Sequence, residues 1–333
     1  GSLRSRHQKS PHRVHPNRDV AVTKSTVAGE VLAHHPQIKH DATPAQEWPQ
    51  ELSQLGRERS VAVFQFKLDD AFLLAHDDLM NQSVAVILSS AFDDFEGLGE
   101  PMNLETPHGP QVVYPYHRAD RPAYAIFRHG RPHRLLPNHI DWRAQAAALK
   151  MLNVGALLIT SSVGVLRQDV PLNVPLVVSD LLMPDNRLPD GSLCTMFVEP
   201  GADHGHLVIQ AGLFDTEIGK SLVQLGAHEM PLCFVYAPGP RTKTPAENRY
   251  WAQVGGDVNS MSLGPEVVLA NELQIPCAAL VVGHKYSHPD IHAGKNSEIA
   301  DSLDDAKFAF HGIVTRWLST AAPVMFKNVL FRF

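Results

Sequence analysis

Apolar and polar positions along the chain fall into two regimes. Up to about residue 58, prolines, histidines, glutamines and charges follow one another with no sustained period. That pattern predicts a weakly ordered N-terminal extension over 1–58. Residues 59–82 contain "VAVFQF" and "DDAFLLAHDDLM", and are expected to form an added strand and helix. From Ser83 the pattern changes. "SVAVILSS" is a continuous apolar run, as in a strand buried on both faces of a sheet. "PAYAIFRHG", "ALLITSS", "PLVVSDLL", "PLCFVYAPG" and "AALVVGH" are further strands of this kind. Among them, "NHIDWRAQAAALKMLN" brings Ile140, Ala144, Ala148 and Met151 to helical spacing, and "TPAENRYWAQVG" and "GPEVVLANEL" are also helical. A last helix, "SLDDAKFAFHGIVTRWL", follows near the end. Strands alternating with helices predict an α/β domain over 83–333 with a largely parallel central sheet.

In such sheets ligands sit at the carboxyl ends of the strands. "FRHG", "ITSSVG", "YAPGP" and "VVGHKYS" all stand at such ends. The first is the start of a dense cation cluster, Arg128, His129, Arg131 and His133, and its position favours an anion site over a merely solvated turn. The bulk charge adds little to this. A net charge of -6 argues against a mainly electrostatic nucleic-acid binder. Cys194, Cys233 and Cys277 are widely spaced and form no CxxC arrangement, so they are expected to be reduced thiols of a cytoplasmic protein. The 19 histidines show no HExxH spacing, and no metal site is expected. No apolar run approaches the ~18 residues of a membrane span, and the opening "GSLRSRHQKS" has no signal-peptide core.

Between Val84 and Leu318 the chain resembles the nucleoside phosphorylase family, in its methylthioadenosine and purine nucleoside phosphorylase branch. The resemblance is carried by "TPHG", "FRHGRPHRLLPN", "ITSSVGVLR", "GPRTKTPAE" and, most specifically, "GGDVNSMSLGPEVVLANEL". It implies a three-layer fold, a central mixed, largely parallel sheet flanked by helices, and assembly as a homotrimer. It also implies a pentosyltransferase that moves a ribosyl group from a nucleoside to inorganic phosphate as co-substrate, with no other cofactor. By the same resemblance Ser90, Arg128, His129, Ser161 and Ser162 fall on phosphate-binding positions. Met261 falls at the sugar, and Lys243, Ser262, Lys285 and Ser287 fall around the base. The chemistry agrees in part: an arginine fork suits phosphate oxygens, and an anion beneath an oxocarbenium-like transition state stabilises it.

Two departures change what the resemblance implies. The family's glycine-rich first loop reads "LSSAFDD" here, without the glycines that let a backbone close on an anion. Lys285 and Ser287 stand where the family carries an asparagine or aspartates, Thr242 where it has an aromatic residue, and Lys243 where it has a purine-binding glutamate. Lysine has three donors and no acceptor, so this pocket suits a carbonyl or carboxylate better than an amine. The expected function is glycosyl transfer or cleavage at the N-glycosidic bond of a nucleoside-like small molecule, phosphate-dependent, with a non-standard base or leaving group. Two alternatives stay open: a non-phosphorolytic enzyme of specialised metabolism using the same pocket, and a non-catalytic binding or scaffold protein. Neither nucleic acid nor membrane is an expected partner.

Overall fold

The structure is a computed structural model and describes residues 81–92, 94–201, 204–291 and 297–332. The expected extension over 1–58, and residues 59–80 of the expected added segment, lie outside the described residues.

Twelve strands are described in chain order: β1 (Ser83–Leu88), β2 (Met102–Thr106), β3 (Gly109–Tyr116), β4 (Ala123–Phe127), β5 (Val154–Val165) and β6 (Pro175–Val177), then β7 (Asp180–Leu182), β8 (His206–Val208), β9 (Cys233–Tyr236), β10 (Val258–Ser260), β11 (Cys277–Tyr286) and β12 (Val329–Phe331). The helices are α1 (Trp142–Met151), α2 (Thr216–Gln224), α3 (Pro245–Gln253), α4 (Gly264–Glu272) and α5 (Ser297–Thr320). Ten strands form one sheet in the order β2-β3-β4-β1-β5-β10-β9-β7, with β11 on the other side of β5 and β6 beside β11. The centre is parallel: β1 pairs with β4 and β5, and β11 with β5. The β2–β3 and β3–β4 pairs are antiparallel, so the sheet is mixed. A separate two-stranded sheet joins β8 and β12.

Why the central strands read as continuous apolar runs is visible in β1. Val84, Val86 and Leu88 pack on one face with Phe310, Val314 and Trp317 of α5, whereas Ala85 and Ile87 pack on the other with Ala148 and Leu149 of α1. Helices therefore cover both faces, and neither side can be polar. The result is the expected α/β fold with three layers. Asp141 caps α1, its side chain accepting from the Ala144 amide at 3.0 Å.

Sequence and structure part company at the sheet's margins. "PLVVSDLL" was expected as one strand and forms two: β6 runs antiparallel to β11, and β7 runs parallel to β9. Val178 and Ser179 turn the chain between them, because their backbone amides bond to Ala279 and Leu232 of different strands. The β2–β3 hairpin turns through "TPHG", where Gly109 has φ 113° and Thr106 donates to its carbonyl at 2.7 Å.

β5 decides where a site can be. It is 12 residues long, and its first half lies between β1 and β11. Beyond the end of β1 its last residues pair antiparallel with β10, Val165 opposite Val258. The sheet therefore opens past Thr160, and the ends of β5, β10 and β11 bound a common hollow.

Candidate active site

Two neighbouring clusters stand at the carboxyl end of the parallel strands. The first is sealed. Arg128, directly after β4, is 2% exposed and donates through Nε and Nη2 to the two oxygens of Glu266 at 2.7 and 2.6 Å. Nη2 also donates to the Thr160 carbonyl at 2.9 Å, and Gln145 of α1 donates to Glu266 Oε1 at 2.9 Å. Glu266 lies in the first turn of α4, where a carboxylate favours the helix dipole. Thr160 stitches β5 to β1, donating to the Ile87 carbonyl at 2.8 Å and accepting from the Ser89 amide at 2.9 Å. Ser161 and Ser262 are also buried, their hydroxyls 3.4 Å apart.

Two further phosphate candidates, Ser90 and His129, stand apart from this cluster. Ser90 is exposed just beyond β1, and none of the residues described between Ser89 and Glu96 has the positive φ of an anion-cradling nest. Arg131, from the same cation cluster, is a structural residue: it pairs with Asp94 and lies over the rings of Tyr114 and Phe127 at 5.7 and 5.5 Å. Its neighbour His129 packs against His133 with ring centres 4.5 Å apart, and its Nδ1 lies 2.8 Å from the Leu135 carbonyl.

Burial first, and then the Arg128 guanidinium, hold the His129 imidazole at a pKa of about 4 against an ordinary 6.5. The folded protein resists a proton that the unfolded chain accepts. Above pH 6.5 both states are neutral; as the pH falls from 6.5 towards 4, stability is progressively lost. Urea denaturation across that range is expected to show the loss in the wild type and a flatter profile in His129→Asn. Matching profiles would place the ring in water.

The second cluster is open. A cavity of about 470 Å³ lies where the sheet parts. Ser162 and Gly164 of β5, Asn259 and Ser260 of β10, and Met261 form one side. Thr242 and Lys243 of the β9–α3 loop, with His284, Lys285 and Tyr286 of β11 and Ser287 just after it, form the other. Met261 is fixed by the chain opposite it, since a Cβ on Gly239 would come within 2.6 Å of its sulfur. Asn259 donates to Asn248 at 2.9 Å and Asn248 donates to the Ser287 carbonyl at 2.8 Å, tying β10, α3 and β11 together. Gly164 makes room for this: a Cβ there would lie 2.1 Å from the Ser287 hydroxyl.

No described lining residue is acidic. Lys285 is exposed, while Lys243 is half-buried. Burial chiefly, opposed by Glu247 and reinforced by Arg241 and Lys285, brings the Lys243 ammonium down to about 8 from an ordinary 10.5. His284 Nδ1 is buried without a hydrogen-bond partner, and burial together with Lys285 lowers its pKa, which keeps the ring neutral. Of the residues expected at the site, Ser162, Met261, Lys243, Lys285 and Ser287 therefore come together in one cavity. Arg128, Ser161 and Ser262 are held in the sealed cluster beside it, and Ser90 and His129 stand apart. Ser262, expected at the base, does not line the cavity. His284, Asn248 and Asn259 were not expected. Elsewhere, Cys194 and Cys277 are buried free thiols, pushed up to about 12 mainly by that burial. No cluster of metal-ligating side chains occurs among the described residues, and no described helix is long and apolar enough to cross a membrane.

The profile of the phosphorylase superfamily matches residues 83–319. The chain belongs to that superfamily. It is 30% identical over 256 residues to S-methyl-5'-thioadenosine phosphorylase of Pyrobaculum aerophilum, a match covering 72% of this chain and 86% of that one. It is 34% identical over 187 residues to a probable 6-oxopurine nucleoside phosphorylase of Moorella thermoacetica, covering 54% and 68%. The fold matches methylthioadenosine phosphorylase from Schistosoma mansoni in complex with tubercidin, with a TM-score of 0.63 at 21% identity over 71% of this chain and 90% of that one. The resemblance to the methylthioadenosine and purine nucleoside phosphorylase branch is thus borne out, as is the α/β phosphorylase fold.

Proposed function

We propose that this superfamily member cleaves the N-glycosidic bond of a nucleoside-like substrate with inorganic phosphate as co-substrate, and that its base pocket favours carbonyl or carboxylate acceptors over an amine. The observation that carries the reading is the cavity itself. It unites Ser162 and Met261, implied for phosphate and sugar, with Lys243, Lys285 and Ser287, implied for the base, and its described lining offers no carboxylate. The names of the relatives support nucleosides and their methylthio analogues as first substrates. In this reading phosphate sits on the Arg128 side of the cavity, where the Ser162 hydroxyl and the Nη1 edge of the guanidinium are the donors, while the Ser161 hydroxyl already donates to the Ser162 carbonyl at 3.2 Å.

A second reading is favoured by one specific observation. Glu266 already occupies Nε and Nη2 of Arg128 and cancels its charge, so a bound phosphate dianion gains less there than from a free arginine. Water would then replace phosphate as the nucleophile in the same pocket. The products separate the two. Incubation with inosine or methylthioinosine, with and without phosphate, is expected to yield the sugar 1-phosphate only when phosphate is present. Free sugar at a rate independent of phosphate would establish hydrolysis, and no cleavage of either nucleoside would support a binding protein.

The proposal includes a cytoplasmic homotrimer. Leu193, Val198, Ile209 and Phe331 expose more than half of their surface, apolar area that a neighbouring copy would cover. Light scattering is expected to give three times the chain mass; a monomer would count against it.

A further inference from the structure

We propose that Lys243 is the general acid of this site, the group that hands a proton to the base as the glycosidic bond breaks. The inference rests on the reading of the cavity as a nucleoside site and names which residue does the acid chemistry there.

A departing purine takes the bonding electron pair and needs a proton or a strong hydrogen bond to leave at a useful rate. The cavity contains few groups able to give one. Tyr286 spends its hydroxyl on the Gln168 and Val170 carbonyls at 3.3 and 3.2 Å. His284 is neutral, with burial and Lys285 opposing its protonation. Lys285 is exposed, so water surrounds and screens its ammonium. Of the two lysines that line the cavity, Lys243 is the one partly withdrawn from water.

Its surroundings leave it free for the task. Glu247, the nearest carboxylate on its own segment, accepts from Arg241 at 2.9 and 2.7 Å and from the Thr244 amide at 2.7 Å. Lys243 itself makes no hydrogen bond or ion pair in the structure. The charged and titratable groups around it are Arg241 and Glu247 from its own loop and helix and His284, Lys285 and Tyr286 from β11. Two of these cations lower its proton affinity, Glu247 raises it, and burial outweighs all three, bringing it to about 8. An acid in that range is charged at neutral pH and still gives up its proton readily.

The step balances without any further reactant. The bond from C1′ to the base nitrogen breaks and its electron pair goes to the base. A proton passes from Lys243 Nζ to the base, and a phosphate oxygen forms the new bond to C1′. The neutral amine then regains a proton from water.

The test uses two leaving groups. Inosine, or methylthioinosine if that is the nucleoside cleaved, needs a proton to depart; para-nitrophenyl riboside leaves as a stable anion. Lys243→Met is expected to lower kcat on the nucleoside by roughly a hundredfold or more while changing the nitrophenyl substrate only a few-fold. In the wild type, kcat on the nucleoside should fall above pH about 8, a limb absent from the nitrophenyl substrate. Equal losses on both substrates would make Lys243 a binding residue only and overturn the proposal. So would no loss on either, or wild-type cleavage of the nitrophenyl substrate alone. A wild type inert on both substrates overturns the nucleoside reading itself, and the proposal with it.

Discussion

Glu266→Gln is expected to lower the stability of the protein by about 3–5 kcal/mol, the scale of breaking a buried ion pair from one side. Both side chains of the Arg128–Glu266 pair are 1% exposed. An arginine side chain in a protein keeps its charge. Removing the carboxylate therefore strands a cation where water does not reach it. The amide that replaces it offers one acceptor and turns an NH2 group towards Arg128 or Gln145, which are donors already. Arg128→Met combined with Glu266→Leu should recover most of the loss, since the attraction of a buried pair roughly offsets its desolvation. Urea denaturation measures both. A loss below about 1 kcal/mol in Glu266→Gln would mean that water screens the pair as it does on a surface. The double variant also isolates function. It should stay folded yet lose phosphate-dependent cleavage if the Arg128 edge contributes to anion binding, and keep it if that edge is purely structural.

This pair marks the limit of what the sequence could convey. "FRHG" was readable as a cation cluster at a strand end, and the parallel strands do bring it to the functional edge. Its partner lies 138 residues away, in a stretch readable as a helix but with nothing in its pattern to pair Glu266 with Arg128, so the fate of the charge was not legible. The central strands were legible because helices cover them on both sides and every position must be apolar. The margins were not. β2 and the first half of β3 alternate half-buried and exposed residues, and Pro110 and Pro115 interrupt the pattern that would mark a strand. In α2 only Ile218, Gly219 and Leu222 are buried, too short a stripe to stand out.

His284 was missed for a sharper reason. The pairing of β11 with β5 slips there: Gly283 is opposite Val163 and Lys285 opposite Gly164, which leaves His284 as an inserted residue. Such a bulge re-aims the side chains beyond it, and one residue of slip exchanges the faces of a strand. Four consecutive residues, His284 to Ser287, consequently line one cavity, which regular alternation forbids. The sequence shows the residues but not the slip. Lys285 and Ser287 were found because the resemblance pointed at them, not because their spacing did.

The second large effect concerns the base itself. Oxopurine nucleosides are expected to be preferred over the matching aminopurine nucleosides by about ten- to a hundredfold in kcat/KM, the worth of 1–3 kcal/mol of donor–acceptor mismatch. The two lysines do not share this equally. Lys285 is exposed, so water and salt screen its ammonium, and its loss should alter specificity little. Lys243 is half-buried and meets the ligand with less solvent between them. An exocyclic amine against it sets donor against donor, whereas a carbonyl oxygen accepts from it. Lys243→Glu should therefore reverse the preference by supplying acceptors, at a lower absolute rate because the ionised carboxylate, held so by Arg241 and Lys285, has no proton to give. Adding Lys285→Asn should strengthen the reversal only slightly, by replacing an exposed donor-only side chain with one that both donates and accepts. Competition between inosine and adenosine, run for the wild type and the two variants, measures each ratio directly. If the wild type cleaves adenosine as fast as inosine and Lys243→Glu leaves the ratio unchanged, Lys243 does not face the base, and the site must recognise its substrate through the asparagine and serine groups of β10 and β11 instead.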